Sequence, residues 1–241
     1  SLTGNCQQLE ALSKQEPERY LLLAKKMLKN KELRIQYPLS VISGLLKSNL
    51  SKREIVPLIE ESIALLNENV KDNEPEVLMR LIRMTEDLLS EKCMSDITMK
   101  FLCDIVKFYP DDDNEDYKDD NAIFNVGINR VRGAAAFFLV KCYVQKQYKE
   151  EIFGALETCK DASLSTKGAI IFQQAFLSNL DTKRHLELYL SLTKNMEIPL
   201  LRIQLSNAHP LLYFINTDFD LMVQRTCFLI CWMVQTMQWR A

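Results

Sequence analysis

The sequence predicts an all-α protein, an α-solenoid of antiparallel helical hairpins of the HEAT or armadillo kind, on three observations. Apolar residues recur at helical spacing along nearly the whole chain, and no stretch alternates as a strand would. Glycine and proline are scarce, 6 and 7 in 241 residues, too few for the corners of a β-rich fold. Helix starts recur roughly every 20 residues, so hairpins repeat at about 40, the period of HEAT and armadillo arrays.

Taken in order, "PERYLLLAKKMLKN" sets Tyr20, Leu23, Ala24, Met27 and Leu28 on one face, with Pro17 in the first turn. "PLSVISGLLKS" opens on Pro38, and "SKRE", Ser51 to Glu54, has the spacing of a capping box ahead of "IVPLIEESIALL". Pro57 inside that run is expected to kink the helix or shorten its first turn. "PEVLMRLIRMTEDLLSE" restarts at Pro75, and "SDITMKFLCDIVKFY" runs from Ser95 until Pro110 stops it. Beyond a polar loop follow a helix capped by Asn129, then "KEEIFGALETCK", "SLSTKGAIIFQQAFLSNL" and "TKRHLELYLSLTKN". A less regular segment from Pro199 and a long helix from Asp218 complete about eleven helices. Segments 131–144 and 221–234 are apolar almost all round and must be buried between neighbours.

The stretch 111–121, "DDDNEDYKDDN", is strongly acidic and reads as a mobile loop dispensable for folding. It separates an N-terminal helical-repeat half, 1–110, from a C-terminal half, 122–241, within one continuous solenoid. The net charge of −2 gives no global field that would draw nucleic acid or an anionic membrane. Seven cysteines, an odd number set mostly in apolar segments, fit a reducing cytoplasm where Cys packs as a small hydrophobe. No signal peptide or apolar run of about 18 residues occurs. The chain begins at Ser1 rather than Met, so a longer parent protein is expected.

"AIFNVGINRVRGAAAFFLVKCYVQ", 122–145, places Arg130 and Arg132 where a helix should begin, next to its positive end. Each is misplaced by roughly 0.3–1 kcal/mol unless an acid compensates. Asp161, one hairpin later in "CKDASLS", is the expected partner, with the acidic stretch upstream as the other. Gly133 would then admit a neighbouring backbone and Ala134 to Ala136 a close helix, so that the arginines hold repeats in register. The functional rival is a phosphate or partner contact made by the same side chains.

"GINRVRGAAA", followed by "LETCKDASLSTKGAII" and "LSNLDTKRHLELYLSLT", resembles the helical C-terminal region of bacterial STAND-type ATP-binding signal-transduction proteins, some of which act in antiphage defence. The matching positions are Asn129, Arg132, Gly133, Ala135 and Ala136, then Asp161 and Asp181. The chain departs from the pattern at Thr166-Lys167, where Val-Arg is usual. The resemblance implies a module that recognises a protein partner, foreign or another domain of the same polypeptide, and relays this to an NTPase.

Chemistry-bearing motifs are few. No G-x-x-x-x-G-K-[ST] or G-x-G-x-x-G occurs, and "STKG" at Ser165 to Gly168 lacks the preceding glycine loop. His185 and His209 have no second ligand at useful spacing, and Cys227 with Cys231 makes only half a zinc site. The acidic stretch lacks the glycine and the terminal glutamate of an EF-hand. No catalytic residue, cofactor or metal is therefore expected. The alternative function is nucleic-acid binding through the patch Lys25, Lys26, Lys29, Lys31 and Arg34. These lysines also suit a helix C-terminus, and no aromatic interleaves them.

Overall fold

The structure, a computed structural model, describes residues 2–89, 91, 93–111 and 120–194. All regular structure among them is helical. Eleven α-helices are present: α1 (Leu2–Gln15), α2 (Pro17–Lys29), α3 (Gln36–Leu46), α4 (Lys52–Ala64), α5 (Pro75–Leu89), α6 (Asp96–Phe108), α7 (Asp120–Ile128), α8 (Val131–Lys141), α9 (Lys149–Leu156), α10 (Leu164–Gln173) and α11 (Thr182–Leu192). Short 3₁₀ segments extend or join several of these, notably Glu157–Asp161 after α9 and Gln174–Asn179 after α10. The segments expected from Pro199 and from Asp218, with His209, Cys227 and Cys231, lie outside the described residues.

Local chemistry sets the helix starts. Pro17 opens α2, and Ser95 caps α6 in a reciprocal box: its hydroxyl accepts the Thr98 N–H, while the Thr98 hydroxyl accepts the Ser95 N–H. At Ser51 the expected box is reduced to one bond, from the Arg53 N–H at 3.3 Å. Ser163 and Asp181 cap α10 and α11. Pro57 lies inside α4, which runs unbroken past it.

Two helices escaped the sequence reading. α1 buries little beyond Cys6 and Ser13, too weak an apolar stripe to stand out. α7 begins at Asp120, inside the stretch expected to be loop, and ends at Ile128. Its presence moves the next start: the N-cap of α8 is Arg130, in extended conformation, and not Asn129. Asn129 instead donates from its side-chain amide to the Asn125 carbonyl at the end of α7.

The helices touch in two series. α1, α3, α5, α8 and α10 each contact the next, as do α2, α4, α6 and α9, with α11 reached through Glu157–Asp161. Contacts between the series close one continuous apolar core. α8 is its axle: it meets α5, α6, α7, α9 and α10, and residues 133–136 and 138–140 are all buried. The contacts of α8 with α5 and α6 carry the core across residues 111–121. No single helix among the described residues is long and apolar enough to cross a membrane; Ala122–Ile128 and Val131–Val144 pass that test only as a pair bent by 90°.

Glycines permit the tightest crossings. A Cβ on Gly133 would lie 2.3 Å from the Gly127 carbonyl oxygen, and one on Gly127 would lie 2.2 Å from that of Ser165. The backbone that Gly133 admits is thus that of α7, and α7 in turn meets α10 through Gly127.

Gly127→Ala should therefore destabilise the protein by roughly 1–3 kcal/mol through overpacking against backbone. Gly154→Ala, where the added methyl meets nothing within 4 Å on α9, should be neutral or stabilising by up to about 1 kcal/mol. Urea denaturation of both variants checks the contrast. His185 on α11 supplies a second test: it is buried, and burial pushes its pKa down to about 4. The unfolded imidazole binds its proton near pH 6.5, before the folded one does, so stability is full above that value and declines as the pH falls toward 4. The slope contributed reaches about 1.4 kcal/mol per pH unit, and His185→Gln should remove it from melting curves taken between pH 7 and 4.5.

Candidate functional site

The question raised by Arg132 is answered at the meeting point of three helix ends. Its guanidinium turns away from its own helix. The Nε–H donates to the Val106 carbonyl at 2.9 Å, in the last turn of α6, where that carbonyl has no partner within its helix. Nη1 pairs with the Asp111 carboxylate at 2.5 Å, and both side chains are about 15% exposed. The same carboxylate accepts the Ser163 N–H at 3.1 Å, the Ser163 hydroxyl at 3.0 Å and the Thr166 hydroxyl at 2.7 Å. A cation therefore sits at the negative end of α6 and an anion at the positive end of α10, each where the helix dipole favours it. Burial pushes the Asp111 carboxyl up, but Thr166, Ser163 and the Arg132 charge together hold it below the ordinary carboxylate range.

Of the two partners expected for the arginines, Asp161 is exposed at the end of the 3₁₀ turn, and Arg132 pairs with Asp111, the first residue of the acidic stretch. The reason is reach. Asp111 stands three residues beyond α6, within range of both Val106 and the start of α10, whereas Asp161 lies on the outer side of its turn. Residues 112–119 of the acidic stretch lie outside the described residues, but Asp111 is a structural partner and not a dispensable loop residue. Thr166 supplies one of the four groups on Asp111, and Lys167 beside it in sequence is buried.

Arg130 takes another course. With Asn129, Arg132 and Asp111 it lines a groove of about 780 Å³. Helix α5 contributes Glu76, Met79, Arg80, Arg83, Met84 and Asp87 to its lining. Glu10 of α1, Lys47 just beyond α3 and the approach to α8 complete the lining. Glu10 pairs with Lys47 at 2.5 Å and more loosely with Arg80 at 3.5 Å. Burial pushes the Glu10 carboxyl up, but Lys47, Ser43 and Arg80 hold it low. The other bond of Arg80, to the Gln36 carbonyl, is also 3.5 Å long. Most of the donor capacity of Arg80 is therefore open to the groove.

The sequence-predicted patch lies elsewhere. Lys25, Lys26, Lys29, Lys31 and Arg34 are all exposed, with Lys26 and Lys29 in the last turn of α2. Lys31 lines a smaller cavity of about 570 Å³ beside the ends of α2 and α4. The sequence reading missed the groove altogether. Its signal was present in α5 as the charge order Glu76, Arg80, Arg83, Asp87 on one helix side.

Three of the described cysteines are held as thiols in the core. Cys103 and Cys159 are buried, and burial raises their thiols to about 11; burial pushes Cys142 up as well. Among the described residues no group of three or more His, Cys, Asp or Glu side chains is placed to hold a metal ion. On the α9–α11 side, Arg184 forks onto Glu157 at 2.6 and 3.0 Å and reaches Glu150 at 2.7 Å, while Lys149 pairs with the capping Asp181 at 2.8 Å. These pairs tie α11 to α9 and the following turn.

Arg132→Ala should cost about 2–4 kcal/mol, between the values for exposed and buried pairs, because it strands Asp111 and a helix-end carbonyl together. Arg132→Lys should recover only part of this, since an ammonium cannot serve Val106 and Asp111 in one plane. A double-mutant cycle of Arg132 with Asp111 should show coupling above about 0.5 kcal/mol, and one with Asp161 none.

No protein-family model matches this chain, no curated protein matches its sequence, and no solved structure matches its fold.

Proposed function

We propose that this chain is a non-catalytic helical-repeat module, an α-solenoid of the HEAT or armadillo kind, that recognises a protein partner on behalf of a STAND-type NTPase. The groove along α5 is the observation that carries this reading. Its lining is mixed in character, with Met79, Met84 and Val131 among charged side chains. Such a lining suits a polypeptide, which offers apolar and charged groups in alternation, better than it suits a compact metabolite. The two helix series support the solenoid assignment, because elements of repeat arrays touch mainly their neighbours in the stack. The link to an NTPase rests on the resemblance around Asn129, Arg132 and Gly133. The partner is a foreign protein or another domain of the same polypeptide.

Two assays test the reading. The purified chain alone should not hydrolyse ATP; turnover that disappears when a residue of this chain is substituted would overturn the non-catalytic assignment. Retention on duplex DNA should be negligible at physiological salt. Salt-sensitive retention abolished by Lys25→Gln with Lys29→Gln would establish the nucleic-acid alternative instead.

A further inference from the structure

Helix α2 carries more apolar side chains than the core takes up. The apolar period sets Leu23 on its inward face, yet Leu23 is 37% exposed and Leu22 63%, while Tyr20, Ala24 and Leu28 are the ones buried. At about 100° per residue, Leu22 falls near the middle of the outward side, beside Lys26 and Lys29, with Lys25 at the edge.

The cations around these leucines are free. Lys25, Lys26, Lys29, Lys31 and Arg34 are exposed and make no side-chain hydrogen bond or ion pair among the described residues. Arg19, on the same side, is taken by Glu16 at 2.9 Å. Two acids stand among the five, Glu18 on the outward side and Glu32 past the helix, and Lys31 shares its cavity with Asp72 and Glu74. The excess is therefore positive. The helix dipole accounts for Lys26 and Lys29 in the last turn, but it gives no reason for leucines left in water between cations.

Three kinds of surface could meet such a face. A nucleic-acid backbone would satisfy the lysines, but it offers nothing to Leu22 and Leu23, and no exposed aromatic is present to stack on a base. A protein interface favours arginine, whose planar fork pairs with carboxylates, and is depleted in lysine; four of the five free cations here are lysines. An anionic bilayer suits both features. Hydrated, flexible ammonium groups meet a diffuse negative surface, and leucine side chains enter the boundary between headgroups and acyl chains. The chain as a whole carries −2, so the attraction is local to this face.

We propose that the outward side of α2 is a peripheral contact site for a bilayer rich in anionic lipid, with Leu22 and Leu23 set among the headgroups and the four lysines and Arg34 against their negative charges. This contact is separate from the groove along α5 and does not depend on a protein partner there.

Vesicle co-sedimentation of the intact chain at low salt tests it. Vesicles of phosphatidylcholine with about one-third phosphatidylserine should bind at least about tenfold more tightly than phosphatidylcholine alone, and high salt should remove the difference. Lys25→Gln with Lys29→Gln should weaken binding to the mixed vesicles by about tenfold or more. Leu22→Ser should weaken it at least about threefold with every charge in place. These positions are exposed and unpaired, so the melting curves of both variants should match the parent's. Equal binding to the two vesicle types, binding to neither, or anionic-vesicle binding that survives both variants would overturn the proposal. Binding lost in the lysine variant but untouched by Leu22→Ser, and matched by retention on duplex DNA, would overturn it in favour of the nucleic-acid alternative.

Discussion

The pairing of Arg132 with Asp111 is the interaction on which the middle of this protein depends. Helix ends expose unpaired carbonyls and N–H groups, and a stack of short helices has many of them to satisfy within its interior. Here a single ion pair serves three helices: the guanidinium takes a terminal carbonyl of α6, and the carboxylate takes a backbone N–H and two hydroxyls at the start of α10. The charges cancel each other while each also lies in a favourable helix field. An arginine that is misplaced for its own helix is correctly placed for its neighbours.

Such a junction requires the backbones around it to come close. Gly127 and Gly133 remove the Cβ atoms that would hold α7, α8 and α10 apart, and Ala134 to Ala136 continue the same narrow surface along α8. Farther along α8 the packing is aromatic, with Phe137 meeting Phe124 of α7 and Phe172 of α10. Phe124 and Phe172 stack face to face at 3.8 Å. Small residues near the ion pair and large ones beyond it divide the work. The first lets polar groups reach one another, and the second supplies the apolar area that offsets their desolvation.

The same anchoring shapes the groove. Asp111, drawn to Arg132 and Ser163, lines it together with Tyr109, Pro110 and Arg130. Elsewhere along the lining, Gly44 lets α1 cross α3 with the Ser13 hydroxyl where a Cβ would otherwise stand, which brings Glu10 to Lys47 and Arg80.

The sequence by itself determined the helical class, nine of the described helices and most of their starts, because those depend on apolar period, proline position and capping residues within one turn. It also marked 131–144 as interior, since a segment apolar all round has no face to give to water. α1 escaped it because its burial rests on Cys6 and Ser13 against a glycine of α3, which no periodicity registers. α7 escaped it because acidic residues mask its start and its apolar residues merge with those of α8. Only the tertiary structure decided that Arg132 is paired with Asp111 and not with Asp161, and that Asn129 closes one helix while Arg130 opens the next. Only it brought Glu10, Lys47, α5 and Arg130 around one groove. The physical reason is range: periodicity and caps are written within a few residues of chain, whereas an ion pair between helix ends is chosen by which backbone can approach which, and that is fixed only when the helices stack.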